Sequence, residues 1–356
     1  MKKNINSTLL SLGEYNLHSR IIDILKTAPG AIGVPGDDAC VIPLTKKKGV
    51  AICTDIVPSG LTGRYAGKFA VIHNYSDLLA VGATPLGILI SLGAPSDHPL
   101  SDFDELIAGA HEEAQQYDTA LLGGDTKERS CYFVVGTAIG TVELDKVLTR
   151  DGARVGDVIA VTRADNRGWG RRWAYRVCQA VLGENSKITF SLASFNKTDL
   201  ALPYREMLAL SKSRTVHAAI DCSDGLSASC ALLAQASKVG ISLDFNSLKN
   251  LIANETIEAA RHLNISPLAF CFSPGYDWEC LVAVPKHLFS KAEYVVAKSG
   301  GSLIRIGEVV DGNDLMVIDG DNRSELPSVG DMKFKRMNQF NSPDAWMDFA
   351  RSFSRT

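Results

Sequence analysis

At 356 residues with a formal net charge of −3, the chain is long enough for about two domains and has no overall electrostatic attraction to nucleic acid or an anionic membrane. Hydrophobic residues at 46% and charged residues at 22% are the balance of a water-soluble globular protein, and the longest apolar runs are broken by Gly, Asp, His or Asn well short of a membrane span. The opening MKKNINSTLLSLGEYN starts basic, but its apolar segment is too short for a secretory signal, so a cytoplasmic location is the expectation. Cys40, Cys53, Cys131, Cys178, Cys222, Cys230, Cys271 and Cys280 are scattered, with no CxxC pair or Cys/His cluster. That argues against zinc and for reduced thiols acting as small hydrophobes.

In chain order, GVAICTD reads as a strand, Arg64–Val81 as a helix and PLGILISLGAP as a strand. SDFDELIAGAHEEAQQYD reads as a helix capped by Ser101. TALLGGD and SCYFVVGTAIGTVEL return to strand character, and the Gly-rich turn in TRDGARVGDVIAVTR marks a domain boundary near residues 150–156. The expected division is an N-terminal domain (1–150), a C-terminal domain (151–335) and a tail (336–356). In the second half, helices are expected after Gly168, over Thr198–Ser211 and from Ser223. Strands are expected at HAAID, GISLDF, ECLVAVP, LIRIGEVV and LMVIDG. No short-period repeat is present. The tail is polar with aromatic anchors and suits packing on either domain. Two α/β domains of mixed strand direction are the result.

The chemistry is concentrated in carboxylates. In AAIDCSDGLSASC an apolar run delivers Asp221, then Ser223, Asp224 and Gly225, and charge beside a core is costly unless something neutralises it. The arrangement recurs at GDDAC (Asp37, Asp38), CTD (Thr54, Asp55), NYSDLLAVGATP (Asp77) and LLGGDTKE (Asp125, Thr126). Carboxylates from separate chain positions, with hydroxyls nearby and no thiolate or imidazole set, suit a hard cation such as Mg²⁺. Magnesium commonly bridges to phosphates, which implies a nucleotide. Gly36, Gly123, Gly124 and Gly225 would let backbone approach those phosphates. Taken singly, each motif has a plainer reading. An Asp after a strand is more often a turn or helix cap, Asp224 before Gly225 is ordinary turn chemistry, and Asp77 suits an exposed helical position. Recurrence carries the inference.

As a set, GDDAC, CTDIVPSG, NYSDLLAVGATP, GGDTKE, LTRDGARVGD and IDCSDGLSASCALLAQASKVG resemble the motifs of thiamine-monophosphate kinases in order and spacing, over roughly Gly13 to Val310. Those kinases share a superfamily with aminoimidazole ribonucleotide synthase, selenophosphate synthetase and a hydrogenase maturation factor that dehydrates a carbamoyl group. The resemblance implies a two-domain α/β (α+β type) synthase-superfamily fold. In it the N-terminal domain gives strands to a barrel shared in a homodimer, and ATP and Mg²⁺ occupy the cleft between domains. Carried over by motif, Asp38, Thr54, Asp55, Asp77, Asp125, Asp221 and Asp224 form the metal shell. Gly124, Arg150 and Ser223 contact the nucleotide, and Asp38, Asp55, Asp125 and Arg150 carry the catalysis.

The departures are as informative. A His that follows the TD motif in the kinases and contacts the thiamine phosphate has no counterpart in VPSGLTGRYAG. The late Gly-Gly-Glu-Asp-Tyr-Glu motif reads PGYDWEC here, so Tyr276 stands where the substrate-contacting Glu is expected, while Asp277 and Glu279 remain. After Val161, TRADNRGWGRRWAYRVCQAVL adds Arg163, Arg167, Arg171, Arg172 and Arg176 beside Trp169, Trp173 and Tyr175. Arginines at a helix N-terminus suit an anion, and arginines interleaved with aromatics can bind single-stranded nucleic acid. The plainer reading is a solvated helix face with its aromatics turned inward. The acidic net charge favours a small anionic molecule over nucleic acid, and Tyr276, Asp277 and Arg171 are the candidate substrate contacts. The expected function is ATP- and Mg²⁺-dependent phosphoryl transfer to a small acceptor other than the family's usual one. The alternative is a synthase that phosphorylates an amide-type oxygen and then releases phosphate. A non-catalytic nucleotide- or RNA-binding module is disfavoured, because converging carboxylates without a cation repel one another.

Overall fold

Strands of alternating small and apolar residues build the first half. The computed structural model describes residues 30–163, 169–183, 185–189, 201–273 and 275–326, together with Ile21, Trp346, Met347, Ala350 and Arg351. β1 (Cys40–Pro43), β2 (Lys48–Ile56), β3 (Thr84–Ala94), β4 (Leu121–Glu128) and β5 (Phe133–Glu143) form a sheet in the order β1-β2-β5-β3-β4. All pairings are antiparallel except β3 with β4. One face buries Gly49, Ala51 and Cys53 of β2 and Val134, Gly136 and Ala138 of β5. Helix α1 (Gly63–Ala80) lies on that face, with α2 (Leu100–Gln115) packed along it. Because α1 is apolar nearly all round, it is enclosed on nearly all sides. Its buried Asn74 amide is satisfied by donating to Ala70 O at 2.9 Å.

The second sheet contains β6 (Val158–Arg163), β7 (Ala218–Asp221), β8 (Gly240–Asp244), β9 (Cys280–Val284), β10 (Ser302–Val310), β11 (Leu315–Asp319) and β12 (Asn322–Glu325). Its order is β12-β11-β8-β10-β6-β9-β7, antiparallel except β8 with β11. The central strands VIAVTR and CLVAV are buried on both faces, which is why they read as continuous apolar runs. Ile159, Val161, Leu281 and Ala283 face one core with α3 (Arg171–Leu182) and α5 (Leu226–Ser237), joined by α7 (Asn254–Leu263) and α8 (Leu268–Phe272). Val158, Ala160, Val282 and Val284 face the other, with α4 (Tyr204–Ser213), α9 (Phe289–Ser299) and the α1 residues Phe69 and Leu78. The short α6 (Phe245–Lys249) follows β8. One continuous core therefore joins the two halves across α1.

Several local expectations change. The helix after β3 starts at Leu100 behind Pro99, so Ser101 lies inside its first turn and makes no side-chain cap. The helix expected over Thr198–Ser211 is observed as Tyr204–Ser213, and residues 198–200 lie outside the described residues. The helix expected from Ser223 begins at Leu226, after the turn that holds Asp224. In the tail, Trp346, Met347 and Ala350 join the core of the second sheet. The Trp346 indole donates to Ser273 Oγ at 3.1 Å and stacks on Phe270.

Candidate active site

Asp221 ends β7 where α1 passes beneath it. Ser76 Oγ of α1 donates to Asp221 Oδ2 at 2.7 Å, and Ser223 Oγ donates to Oδ1 at 3.1 Å. Asp77 follows Ser76 on the helix. Asp38 arrives from the turn before β1, where Arg150 Nε and Nη2 donate to its two oxygens at 3.1 and 2.7 Å. The Arg150 guanidinium also donates to Gly36 O, and its backbone N–H to Asp37 Oδ1 at 3.0 Å. The outcome is that ligand oxygens of Asp38, Asp77 and Asp221 lie within 4.8 Å of one another.

The electrostatics follow from this crowding. Burial first, then the charge of Asp38, pushes Asp221 up to about 7, against the Ser76 hydrogen bond and Arg150. Burial, then Asp55, raises Asp77 well above the usual carboxylate range, and its side chain is hydrogen-bonded to that of Asp55. Burial opposes the Arg150 charge, but Asp38, then Asp221 and Asp77, outweigh it. Cys53, Cys222 and Cys280 adjoin these carboxylates, and burial holds each thiol well above its ordinary value. They are protonated packing groups, so the donor set facing a ligand is oxygen.

The remaining sequence-derived residues are placed differently. Asp55 sits beside the cluster through Asp77. Asp224 is half-buried and acts on Asp221 as a repelling charge. Thr54 lies on the opposite sheet face, as strand alternation from Asp55 requires, and donates to Gly136 O at 2.8 Å. Asp125 is exposed on β4, 3.7 Å from Lys127 Nζ. Gly124, at φ +157°, is demanded by strand pairing, since a Cβ there would meet Ile90 O at 1.7 Å. At Gly225 a Cβ would meet Ser273 O at 2.2 Å. What approaches both glycines closely in this structure is protein backbone.

The 275–279 loop and α3 form a second region. Tyr276 and Trp278 both adopt left-handed backbone, at φ 54° and 50°, a strained state for aromatic residues that is characteristic of functional loops. Trp278 is fully buried against Phe69, and Tyr276 packs edge-on to the same ring. Asp277 accepts the Gly170 N–H at 3.0 Å at the start of α3. Its burial pushes it up to about 6, with that hydrogen bond, Arg172 and Arg171 opposing. Arg171 pairs with Glu255 at 3.2 Å. Arg172 donates to Tyr276 O, and its guanidinium lies 4.7 Å over the Trp278 ring. The Arg/Trp stretch is thus neither wholly solvated nor wholly a site: Trp169 is core, Arg171 and Arg172 are engaged, and Arg176 is exposed. Arg163 donates to Asn250 O at 3.4 Å, and Arg167 lies outside the described residues.

Sequence reasoning missed His73. Its Nε2 lies 4.0 Å from Asp55 Oδ1, and Trp278 Nε1 donates to its Nδ1 at 3.3 Å. The signal was available: His73 is four residues before Asp77, hence on the same helix face. An imidazole therefore stands beside Asp55, although it comes from α1 and not from the loop after the TD motif.

This two-sheet arrangement has known counterparts. Residues 36–142 match the AIR synthase related protein N-terminal domain and residues 154–320 the C-terminal domain, and the chain belongs to that family. Within it, the chain is thiamine-monophosphate kinase-like. The thiamine-monophosphate kinase of Halobacterium salinarum is 30% identical over 308 residues, covering 83% of this chain and 95% of that one. Among solved structures, tt0281 from Thermus thermophilus is 26% identical with a TM-score of 0.75, over 90% of this chain and all of the other. AaThiL, solved in complex with AMPPCP and TMP, is 23% identical with a TM-score of 0.73, over 88% and 96% of the two chains, and shows the shared fold.

Proposed function

We propose that the chain is an ATP- and Mg²⁺-dependent small-molecule kinase whose acceptor differs from thiamine monophosphate. The observation that carries the reading is the convergence of Asp38, Asp77 and Asp221 within 4.8 Å. Three carboxylates that crowd one another, with no thiolate or imidazole among the three, fit a hard divalent cation. These three would hold it, with Asp55 and Asp224 adjoining. When bound, the metal neutralises charge on the transferring phosphate. The chain's own residues position the site: Arg150 fixes Asp38, while Ser76 and Ser223 fix Asp221. The reading does not rely on Thr54 or Asp125. A changed acceptor is supported by Tyr276, which presents a ring where the related kinases present a carboxylate.

The homodimer belongs to the same proposal. The sheet face opposite α1 leaves Ile56, Leu86 and Leu122 more than half exposed, and β4 is exposed along nearly its whole length. An unpaired edge with apolar side chains suits a second copy of the same sheet. A cytoplasmic location is supported by eight free cysteines, six of them buried. Among the described residues, no helix is long and apolar enough to cross a membrane.

Phosphorus NMR with ATP, Mg²⁺ and thiamine monophosphate tests the reading. The expected result is Mg²⁺-dependent ATP binding without a thiamine diphosphate signal. A strong diphosphate signal overturns the changed acceptor, and absence of Mg²⁺-dependent ATP binding overturns the kinase itself.

A further inference from the structure

His73 stands where the two regions of the site meet, and its hydrogen bond decides what it can do there. It lies on α1, one turn before Asp77, and three rings hold its imidazole: Phe69 with centroids 5.3 Å apart, Tyr276 at 6.2 Å and Trp278 at 6.4 Å. The Trp278 indole N–H donates to His73 Nδ1 at 3.3 Å. An indole nitrogen can only donate, so Nδ1 offers its lone pair and the ring proton sits on Nε2. Nε2 is the nitrogen that faces the carboxylates, 4.0 Å from Asp55 Oδ1. Neither side chain is fully enclosed, and one bridging water spans that separation.

This tautomer removes two roles. A protonated Nε2 has no lone pair with which to take a proton from an acceptor, so His73 is not the base. Nor can Nε2 ligate a cation unless the proton moves to Nδ1 and the Trp278 hydrogen bond breaks. What it can do is donate. Asp55 is in turn hydrogen-bonded to Asp77, whose ligand oxygen is one of the three that converge within 4.8 Å. A run of contacts therefore links Trp278, His73, Asp55 and Asp77, from the 275–279 loop to the carboxylate cluster. Donors behind a ligating carboxylate fix its orientation.

We propose that His73 is a positioning residue: Trp278 locks its proton on Nε2, and that N–H, through one water, orients the Asp55 carboxylate toward the proposed cation. This rests on the phosphoryl-transfer reading, which supplies the cation. It also gives Trp278 a duty beyond packing, since its indole N–H sets the tautomer.

Long-range proton–nitrogen NMR of the full chain with isotopically labelled histidine reads the tautomer, the His73 signals being identified by their loss in His73→Gln. The expected result is the Nε2–H form in the parent chain and loss of that preference in Trp278→Phe, which keeps a ring and removes the donor. Mg·ATP binding is then titrated by calorimetry. His73→Asn, whose amide reaches only the Nδ1 position, should weaken it about tenfold. His73→Gln, whose amide reaches the Nε2 position, should recover most of that loss. A residue that only packs would not separate the two amides. An Nδ1–H form in the parent, or equal Mg·ATP affinities for His73→Asn and His73→Gln, overturns the proposal. Should the variants not fold, the parent spectrum alone decides. If the parent binds Mg·ATP and these contrasts are absent, the His73 assignment alone fails. If the parent does not bind Mg·ATP, the phosphoryl-transfer reading fails with it.

Discussion

Replacing Asp221 and Asp38 one at a time by Asn should move stability in opposite directions, although both residues face one proposed cation. Asp221 is buried, its hydrogen-bond donors are two neutral serine hydroxyls, and Asp38 and Asp77 lie within 4.8 Å. At an effective dielectric constant near 20, unit charges that far apart repel by roughly 3 kcal/mol. Asp77, held by burial above the usual carboxylate range, and the Arg150 charge beside Asp38 reduce this, so Asp221→Asn should stabilise the ligand-free protein by about 1–3 kcal/mol. Asp38 is different. Its carboxylate is 2% exposed and paired in two places with Arg150, which is 16% exposed. Asp38→Asn strands that guanidinium in the interior and should cost roughly 3–5 kcal/mol. Chemical denaturation at pH 8 in EDTA measures both. Repeating it with Mg·ATP should show the parent chain gaining stability by linkage and each variant losing most of that gain. If Asp221→Asn destabilises in EDTA, the cluster is not repulsive. If either variant keeps the full Mg·ATP gain, that residue is not a ligand.

Glu113 offers a separate check on the interior electrostatics. It is buried on α2, and burial pushes it up to about 7, with Lys68 of α1 and Arg172 of α3 opposing and Glu112 adding to the rise. The folded state therefore holds a proton that the unfolded chain releases, so stability falls as pH rises from about 4.5 through 7, by up to about 3 kcal/mol. Glu113→Gln should recover that loss near pH 8 and change little near pH 4; equal effects at both, in denaturant melts, would contradict the burial argument. For the proposed dimer, Leu86→Asp places a charge on the exposed apolar sheet face. Sedimentation should show a dimeric parent and a monomeric variant, and a monomeric parent would remove the dimer from the reading.

Much of the fold was legible because its strands obey simple periodicity. CLVAV and VIAVTR, buried on both faces, announce themselves as apolar runs. The short edge strands β1 and β12 did not, since CVIP and NRSE carry too little pattern to separate from turns. At the site, the motifs gave the carboxylates, but not which of them meet. Thr54 and Asp55 are adjacent in sequence and on opposite sheet faces, a fact strand alternation alone could have supplied. The exposure of Asp125 and the left-handed backbone of Tyr276 and Trp278 depend on tertiary packing and leave no mark in composition.

Helix α1 carries the carboxylate cluster and the aromatic loop contacts at separate positions along its length. A helix enclosed on nearly all sides is a rigid support, and it presents carboxylate chemistry at Asp77 and aromatic chemistry at Phe69 two turns away. The partners of Asp77 come from β2, β7 and the turn before β1, all anchored in sheets. The partners of Phe69 come from the 275–279 loop and α3. A change at Tyr276 is therefore separated from the carboxylates and their serine donors. On the proposed reading, a site divided in this way lets the acceptor wall vary while the carboxylates of α1, β7 and the turn before β1 stay in place.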